Sequence, residues 1–382
     1  MERVIVLGGD GFCGWPTALR LAGNGYHVLV VDNLSRRKID IELGTCSLTN
    51  IANIDDRMQV ANQLVGKIDF EKIDVASEPE RLKNCLRSFQ PTTVIQFAEQ
   101  RAAPYSMIGD LERRYTVDNN VSGTHNLCSA IVEVDANIHL IHLGTMGVYG
   151  YSKQFGAIPE GYLDVNIKST SEDVQILYPA NPGSVYHMTK CLDQLLFQFY
   201  VKNWGLKVTD LHQGIVWGIE TDETRLHEKL VNRFDYDGIY GTVLNRFLVQ
   251  SVQNVPLTVY GIGGQSRAFI HINDTAQCLL LAVQNPPQET NKVRIFNQVS
   301  EVKSVGELAT LIAELTKCEI QYISNPRKEL SENELEVSNE GLVSLGFDPI
   351  TLNEGLLEDV RILSAATASN FDAGKVLNSP KW

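Results

Sequence analysis

The sequence has no apolar run approaching the roughly 20 residues needed to cross a bilayer, so no membrane-spanning helix is expected. Its seven cysteines (13, 46, 85, 128, 191, 278 and 318) include no CxxC pair and no metal-ligand spacing. An odd, scattered set argues against a disulfide framework or a bound metal and for reduced thiols. Positive charge is scarce: 33 Lys and Arg stand against 46 Asp and Glu, a net charge of −13. Binding to nucleic acid needs a basic surface, so nucleic acid is excluded as a main partner. Anionic small molecules are not, because a few local arginines can hold a phosphate. No repeat, low-complexity stretch or long linker is present, and no targeting pattern precedes the strand that begins at Arg3. The expectation is a soluble, cytoplasmic protein without membrane contacts.

The chain has 382 residues, 43% hydrophobic and 21% charged, enough for a large core in two lobes. Val4 to Leu7 reads as a buried strand, followed at once by Gly8-Gly9-Asp10-Gly11-Phe12-Cys13-Gly14 and then a helical stretch from Thr17 to Gly23. Strand, GxxGxxG, helix is the setting in which glycines permit a tight turn and bring backbone close to a pyrophosphate. A second strand, Tyr26 to Val31, ends at Asp32, where a carboxylate suits the ribose hydroxyls of NAD and repels the 2′-phosphate of NADP. Arg36 and Arg37 oppose that reading, since an arginine there can accept a 2′-phosphate; Asp32, at the strand end itself, decides for NAD.

Strands and helices go on alternating. Lys67–Ile73 reads as a strand leading into Asp74 and Val75, which could contact an adenine. Glu80–Phe89 is a helix, Thr93–Phe97 a buried strand, Asn119–Val132 a helix and Ile138–Leu143 a strand. The pattern predicts a doubly wound α/β fold on a parallel sheet, over residues 1–219. Ala98, Glu99, Gln100 and Arg101 fall at a strand's carboxyl end, where such sheets bind ligands. Residues 151–183 read as an irregular insertion, and Lys207–Leu211 as a further strand before His212 and Gln213, the latter facing the nicotinamide end of the cleft. From about 220 the alternation stops. Residues 220–382 read as a smaller substrate lobe, with about 268–285 returning to the first domain and the last dozen residues as a loosely held tail.

Tyr186 and Lys190 lie one helical turn apart, so phenol and ammonium can share a site. A free phenol titrates near ~10; a cation beside it favours the phenolate and makes the tyrosine a usable acid and base. Thr145, at a strand end upstream, completes a Thr-Tyr-Lys set by holding the reacting oxygen. His187, next to Tyr186, is a candidate substrate contact. Arg246, Arg267 and Arg327 are candidates for clamping a diphosphate.

With these residues in place, the chain resembles the extended short-chain dehydrogenase/reductases, which act largely on nucleotide sugars. Val148-Tyr149-Gly150 and the run from Tyr260 to Asp274 are similar to that family's signatures. Four stretches resemble a sulfite-using branch of it: Gly8–Trp15, Phe97–Met107, Leu143–Gly147 and Asp210–Phe247, with Asn325-Pro326-Arg327 as a shorter fifth. The resemblance implies tightly bound NAD, UDP-glucose and sulfite as substrates, a sulfite-donor protein as partner, and a homodimer. It further implies cofactor contacts from Gly8, Gly11, Phe12, Cys13, Gly14, Asp32, Asn33, Arg36, Arg37, Asp74, Val75, Phe97, Ala98, Glu99, Asn119, Tyr186, Lys190, Gln213 and Val216. Substrate contacts are implied for Arg101, Thr145, Gln213 and the three arginines. Related 4,6-dehydratases carry Asp-Glu after the active-site threonine; here Met146 and Gly147 stand there and cannot move protons. His187 and Glu99 become candidates for that acid–base work, and these two with Met146 for contacts to sulfite. A UDP-glucose 4-epimerase and a non-catalytic NAD-binding regulator are the alternatives.

Overall fold

A computed structural model describes residues 1–150, 156–289, 291–365, 371–377 and 380. The first part of the chain runs through β1 (Arg3–Leu7), α1 (Gly14–Gly23), β2 (His27–Val31), α2 (Ser35–Leu43), α3 (Ile54–Leu64), β3 (Ile68–Glu71), α4 (Pro79–Phe89), β4 (Thr93–Gln96), α5 (Asp110–Val134) and β5 (His139–Thr145). A hairpin, β6 (Tyr162–Ile167) and β7 (Glu172–Leu177), leads to α6 (Val185–Trp204), β8 (Lys207–Gln213) and β9 (Ile215–Trp217). Then follow α7 (Val243–Val252), β10 (Leu257–Tyr260), β11 (Gly264–His271), α8 (Ile272–Gln284), β12 (Arg294–Gln298), β13 (Glu301–Ser304), α9 (Val305–Thr316) and β14 (Ile320–Ile323). β15 (Glu332–Asn333), α10 (Glu340–Ser344), α11 (Leu352–Ala365) and α12 (Ala373–Val376) complete the order.

Seven strands form one parallel sheet in the order β12-β8-β5-β4-β1-β2-β3. Alternation along β1 explains how it is covered on both faces. Val4 and Val6 join Trp15, Leu19 and Leu279 in one core, while Ile5 and Leu7 join Leu86, Leu127 and Phe197 in another. A third core, around Trp217, Phe234, Phe247 and Leu308, lies under the later elements, where β9 and β13 flank β11 and β10 pairs with β14. The order reverses between β1 and β4, and that is where the sheet opens a crevice at its C-terminal edge.

Three expectations are corrected. The helix expected from Asn119 begins at Asp110 and runs 25 residues; its first turns are polar and carry little apolar periodicity to announce them. Within 151–183, residues 162–177 form an antiparallel hairpin rather than irregular chain, and 151–155 lie outside the described residues. Of the expected tail, residues 371–377 are docked: Val376 is 1% exposed, and Phe371 packs on Tyr236 with ring centroids 5.7 Å apart. There Gly238 N donates to Lys375 O at 3.0 Å, so the tail braces a segment that lines the crevice. Among the described residues, no helix is long and apolar enough to cross a membrane.

Candidate active site

A cavity of about 420 Å³ follows the C-terminal ends of β1, β4 and β5. Its floor is the glycine turn. Gly8 has φ +75°, and a Cβ there would lie 2.5 Å from the Phe97 carbonyl carbon. A Cβ on Gly14 would lie 2.3 Å from Gly8 O. The turn can therefore close only without side chains, leaving backbone bare at the start of α1. Asp32 stands at the end of β2, accepting from Asp10 N at 3.0 Å and Leu34 N at 2.7 Å. Burial and the Asp10 charge push its pKa up to about 6, and each oxygen keeps a lone pair for a further donor, which ribose hydroxyls would supply. The cradle fits NAD.

The arginines of that loop are spoken for. Arg37 donates to Asp10 at 2.6 and 2.8 Å and to Ala52 O at 2.9 Å, and Arg36 pairs with Asp40 and Asp235. A 2′-phosphate could recruit either only by breaking these pairs, which favours NAD over NADP. Gly8, Gly11, Phe12, Cys13, Gly14, Asp32, Asn33, Arg36, Val75, Phe97, Ala98, Glu99, Asn119, Gln213 and Val216 line the cavity. Arg37 and Asp74 do not; Asp74 accepts from Ala76 N at 3.0 Å and Asn33 Nδ2 at 3.0 Å instead.

Tyr186 and Lys190 enter from α6, whose first turn is capped by the Ser184 hydroxyl accepting from His187 N at 3.2 Å. Thr145 ends β5, and its hydroxyl oxygen accepts from Gly147 N at 3.1 Å. All three line the same cavity. Lys190 Nζ lies 6.0 Å from the Tyr186 ring centroid and donates to Leu143 O at 2.6 Å. Glu99 does not face the cavity freely: Oε2 is 2.7 Å from Lys190 Nζ and Oε1 is 3.0 Å from His142 Nε2.

Gly147 shows what replaces the acidic pair of the dehydratases. A Cβ at this position would fall 2.3 Å from His187 Cδ2. The imidazole fills the room that a side chain at 147 would need. Burial first, then the Arg327 and Arg267 charges, lowers the His187 pKa to about 4, so the ring is neutral at physiological pH. Arg101, Arg246, Arg267 and Arg327 line the cavity together with Met146 and His187. Arg246 donates to Tyr260 Oη at 2.9 Å.

The residues match the NAD dependent epimerase/dehydratase family over 4–297. The chain belongs to that family. Over its whole length it is 42% identical to a chloroplastic UDP-sulfoquinovose synthase of Spinacia oleracea, covering 79% of that protein. It is 39% identical to a UDP-sulfoquinovose synthase of Sulfolobus acidocaldarius, covering 94% of this chain and 91% of the other. Among solved structures, a Thermotoga maritima UDP-glucose 4-epimerase with UDP-glucose superposes with a TM-score of 0.70 at 21% identity, covering 95% of this chain and 99% of that one. This last likeness shows the epimerase/dehydratase fold.

Two groups of residues were not foreseen. Asp235, 2% exposed at its side chain, takes Arg101 at 2.6 Å, Arg233 at 2.9 Å and Arg36 at 3.2 Å. It anchors the segment from Arg233 to Thr242, in which Arg233 and residues 238–242 line the cavity. His142, Asp193, Asp210 and His212 form a buried polar set behind Lys190. The signal available was polar residues at inward positions: His142 inside β5, and Asp210 and His212 two apart on β8.

Proposed function

We propose that the protein makes UDP-sulfoquinovose from UDP-glucose and sulfite. The observation that carries the reading is the meeting of Thr145, Tyr186 and Lys190 in one cleft with the neutral His187 ring seated against Gly147. The near-full-length likeness to two UDP-sulfoquinovose synthases supports it. NAD⁺, when bound, supplies the hydride acceptor at C4 and returns that hydride at the end, so none is consumed.

Each residue then has a task. Tyr186, as phenolate beside Lys190, takes the C4 hydroxyl proton, and the Thr145 hydroxyl holds the same oxygen. The ketone at C4 acidifies C5–H. His187, neutral and beside Tyr186, is the base assigned to that proton and hands it to the C6 hydroxyl, which leaves as water. Sulfite adds to the resulting 5,6-double bond at C6. Arg246, Arg267 and Arg327 hold the diphosphate, which turns a bimolecular encounter into a positioned one. Met146 is assigned a contact to sulfite and Arg101 a contact to the sugar substrate.

Mass spectrometry of UDP-sugars after incubation with UDP-glucose, NAD⁺ and sulfite tests the reading. A sulfite-dependent product with the mass of UDP-sulfoquinovose is expected. UDP-galactose, or a dehydrated keto sugar regardless of sulfite, would replace it with an epimerase or a dehydratase.

A homodimer is proposed through α6, where Met188, Leu192, Leu195 and Phe199 are 38, 36, 60 and 53% exposed at helical spacing. A Leu195→Glu/Phe199→Glu variant is expected to sediment as a monomer where the parent sediments as a dimer. Unchanged sedimentation would remove this face from consideration. Sulfite delivery by a partner protein belongs to the same proposal: adding a sulfite-carrying protein is expected to raise turnover above that with free sulfite, and unchanged turnover would remove the partner.

A further inference from the structure

Behind the catalytic pair lies a closed set of ionisable side chains drawn from four places. They are Glu99 after β4, His142 on β5, Asp193 on α6, and Asp210 and His212 on β8. Side-chain exposure is 3% for Glu99, 4% for Lys190, 1% for His142 and Asp210, and 0% for Asp193 and His212. Lys190 Nζ touches Leu143 O at 2.6 Å, Glu99 Oε2 at 2.7 Å and His142 Nε2 at 3.1 Å. His142 has carboxylates of its own, Asp210 at 2.8 Å and Asp193 at 3.5 Å. Asp210 also meets His212 at 3.0 Å, and His212 meets Tyr149 Oη at 2.5 Å. Glu99, His142 and Asp193 have the spacing of a metal-ligand group, but Lys190 already brings a cation to Glu99.

We propose that Glu99 is a positioning residue for the reaction, holding Lys190 charged and in reach of Tyr186. Two cations compete in this set, and only one of them depends on Glu99 for its proton. Burial removes charge from a lysine, and His142, 3.1 Å away, adds a second cation. Burial and Lys190 lower the His142 pKa, but Asp210 and Asp193 outweigh them and carry it to about 10. The imidazolium therefore stays charged without Glu99, because two other carboxylates serve it. Lys190 would be left with a neutral carbonyl, the more distant charge of Asp193 and a neighbouring cation. It is the lysine that gives up its proton. With it goes the field that favours the Tyr186 phenolate, and the tyrosine returns toward its free value of ~10. The inference rests on the reading of Tyr186 and Lys190 as an acid–base pair, but not on the identity of the sugar.

The test uses the NAD-loaded full chain and two readouts. In Glu99→Gln, labelled with ¹⁵N-lysine and assigned against Lys190→Arg, the Lys190 Nζ resonance is expected to titrate between pH 6 and 10. In the parent it stays that of an ammonium throughout. Nicotinamide reduction on adding UDP-glucose alone is expected to fall at least tenfold at pH 7.5, with its acid limb moved up by a unit or more and the KM for UDP-glucose unchanged. A Lys190 resonance that behaves alike in both proteins would overturn the proposal. If the parent does not react with UDP-glucose, the substrate assignment fails and the Lys190 titration alone decides on Glu99. Should Glu99→Gln not fold, Glu99→Asp keeps the charge: its acid limb is expected to stay within half a unit of the parent's, and a shift of a unit would overturn the role given to that charge.

Discussion

Tyr186→Phe is expected to lower turnover by roughly 10²–10⁴-fold, the range lost with a general acid–base group, while NAD content and thermal stability stay those of the parent. The expectation follows from position. Tyr186 sits in the first turn of α6, which is fixed by the Ser184 cap and by Tyr186 N donating to Ser106 Oγ at 3.1 Å. Neither restraint uses the phenol oxygen, so its removal leaves the helix start intact. Lys190 keeps Glu99 and the Leu143 carbonyl, so its charge survives as well. Only the proton acceptor for the C4 hydroxyl is lost. The measurement is single-turnover nicotinamide reduction with UDP-glucose; a loss below tenfold would mean another group takes that proton.

Asp210→Ala is expected to have the largest effect on stability, about 3–5 kcal/mol, as when one member of a buried ion pair is removed. At about 2.1 cal/mol/K of unfolding entropy per residue, this corresponds to a fall in Tm of roughly 4–6 °C. Burial would raise the Asp210 pKa, but the His212 and His142 charges prevail and hold it far below the carboxylate range. Its contribution is therefore present above an unfolded value of ~3.9 and lost as pH falls. That of His142, whose pKa rises to about 10, is fully present below ~6.5 and lost as pH rises toward 10. The gap between parent and variant should be widest between about pH 5 and 6.5. Thermal melts across pH check it, and a difference of under a degree at pH 6 would show that the imidazoles find other partners.

How much of this was legible beforehand depended on whether the information was local. The glycine turn, Asp32 at a strand end and Tyr186 one turn before Lys190 each belong to a single stretch of chain, and all of them reach the cavity. The partners of Lys190 do not. His142 meets Asp210 because β5 and β8 pair in the register that sets these two residues opposite one another, and a shift of one residue would turn them to different faces. Glu99 turns inward only because the chain bends after β4, where Gln100 N donates to Asn120 Oδ1 on α5 at 2.8 Å. Its role could not be told from a carboxylate at the cleft edge. The hairpin within 151–183 was hidden for another reason. Its strands alternate weakly, and every one of their residues is exposed or half-buried.

The place of β12 carries a consequence for how the molecule comes together. The chain leaves the large sheet at Gln213 and returns to it only at Arg294, having built β9, α7, β10, β11 and α8 in between. Until that return, β8 is a bare edge of unpaired amides, the kind of surface on which stray chains nucleate aggregates. Helix α8, which packs on α1, is also made during the excursion. The seven-stranded sheet thus cannot be completed until these elements have been made: its last strand follows them in the chain, and loop closure over some eighty residues makes that pairing a late and slow event. A fragment ended near residue 219 would present β8 to every copy of itself.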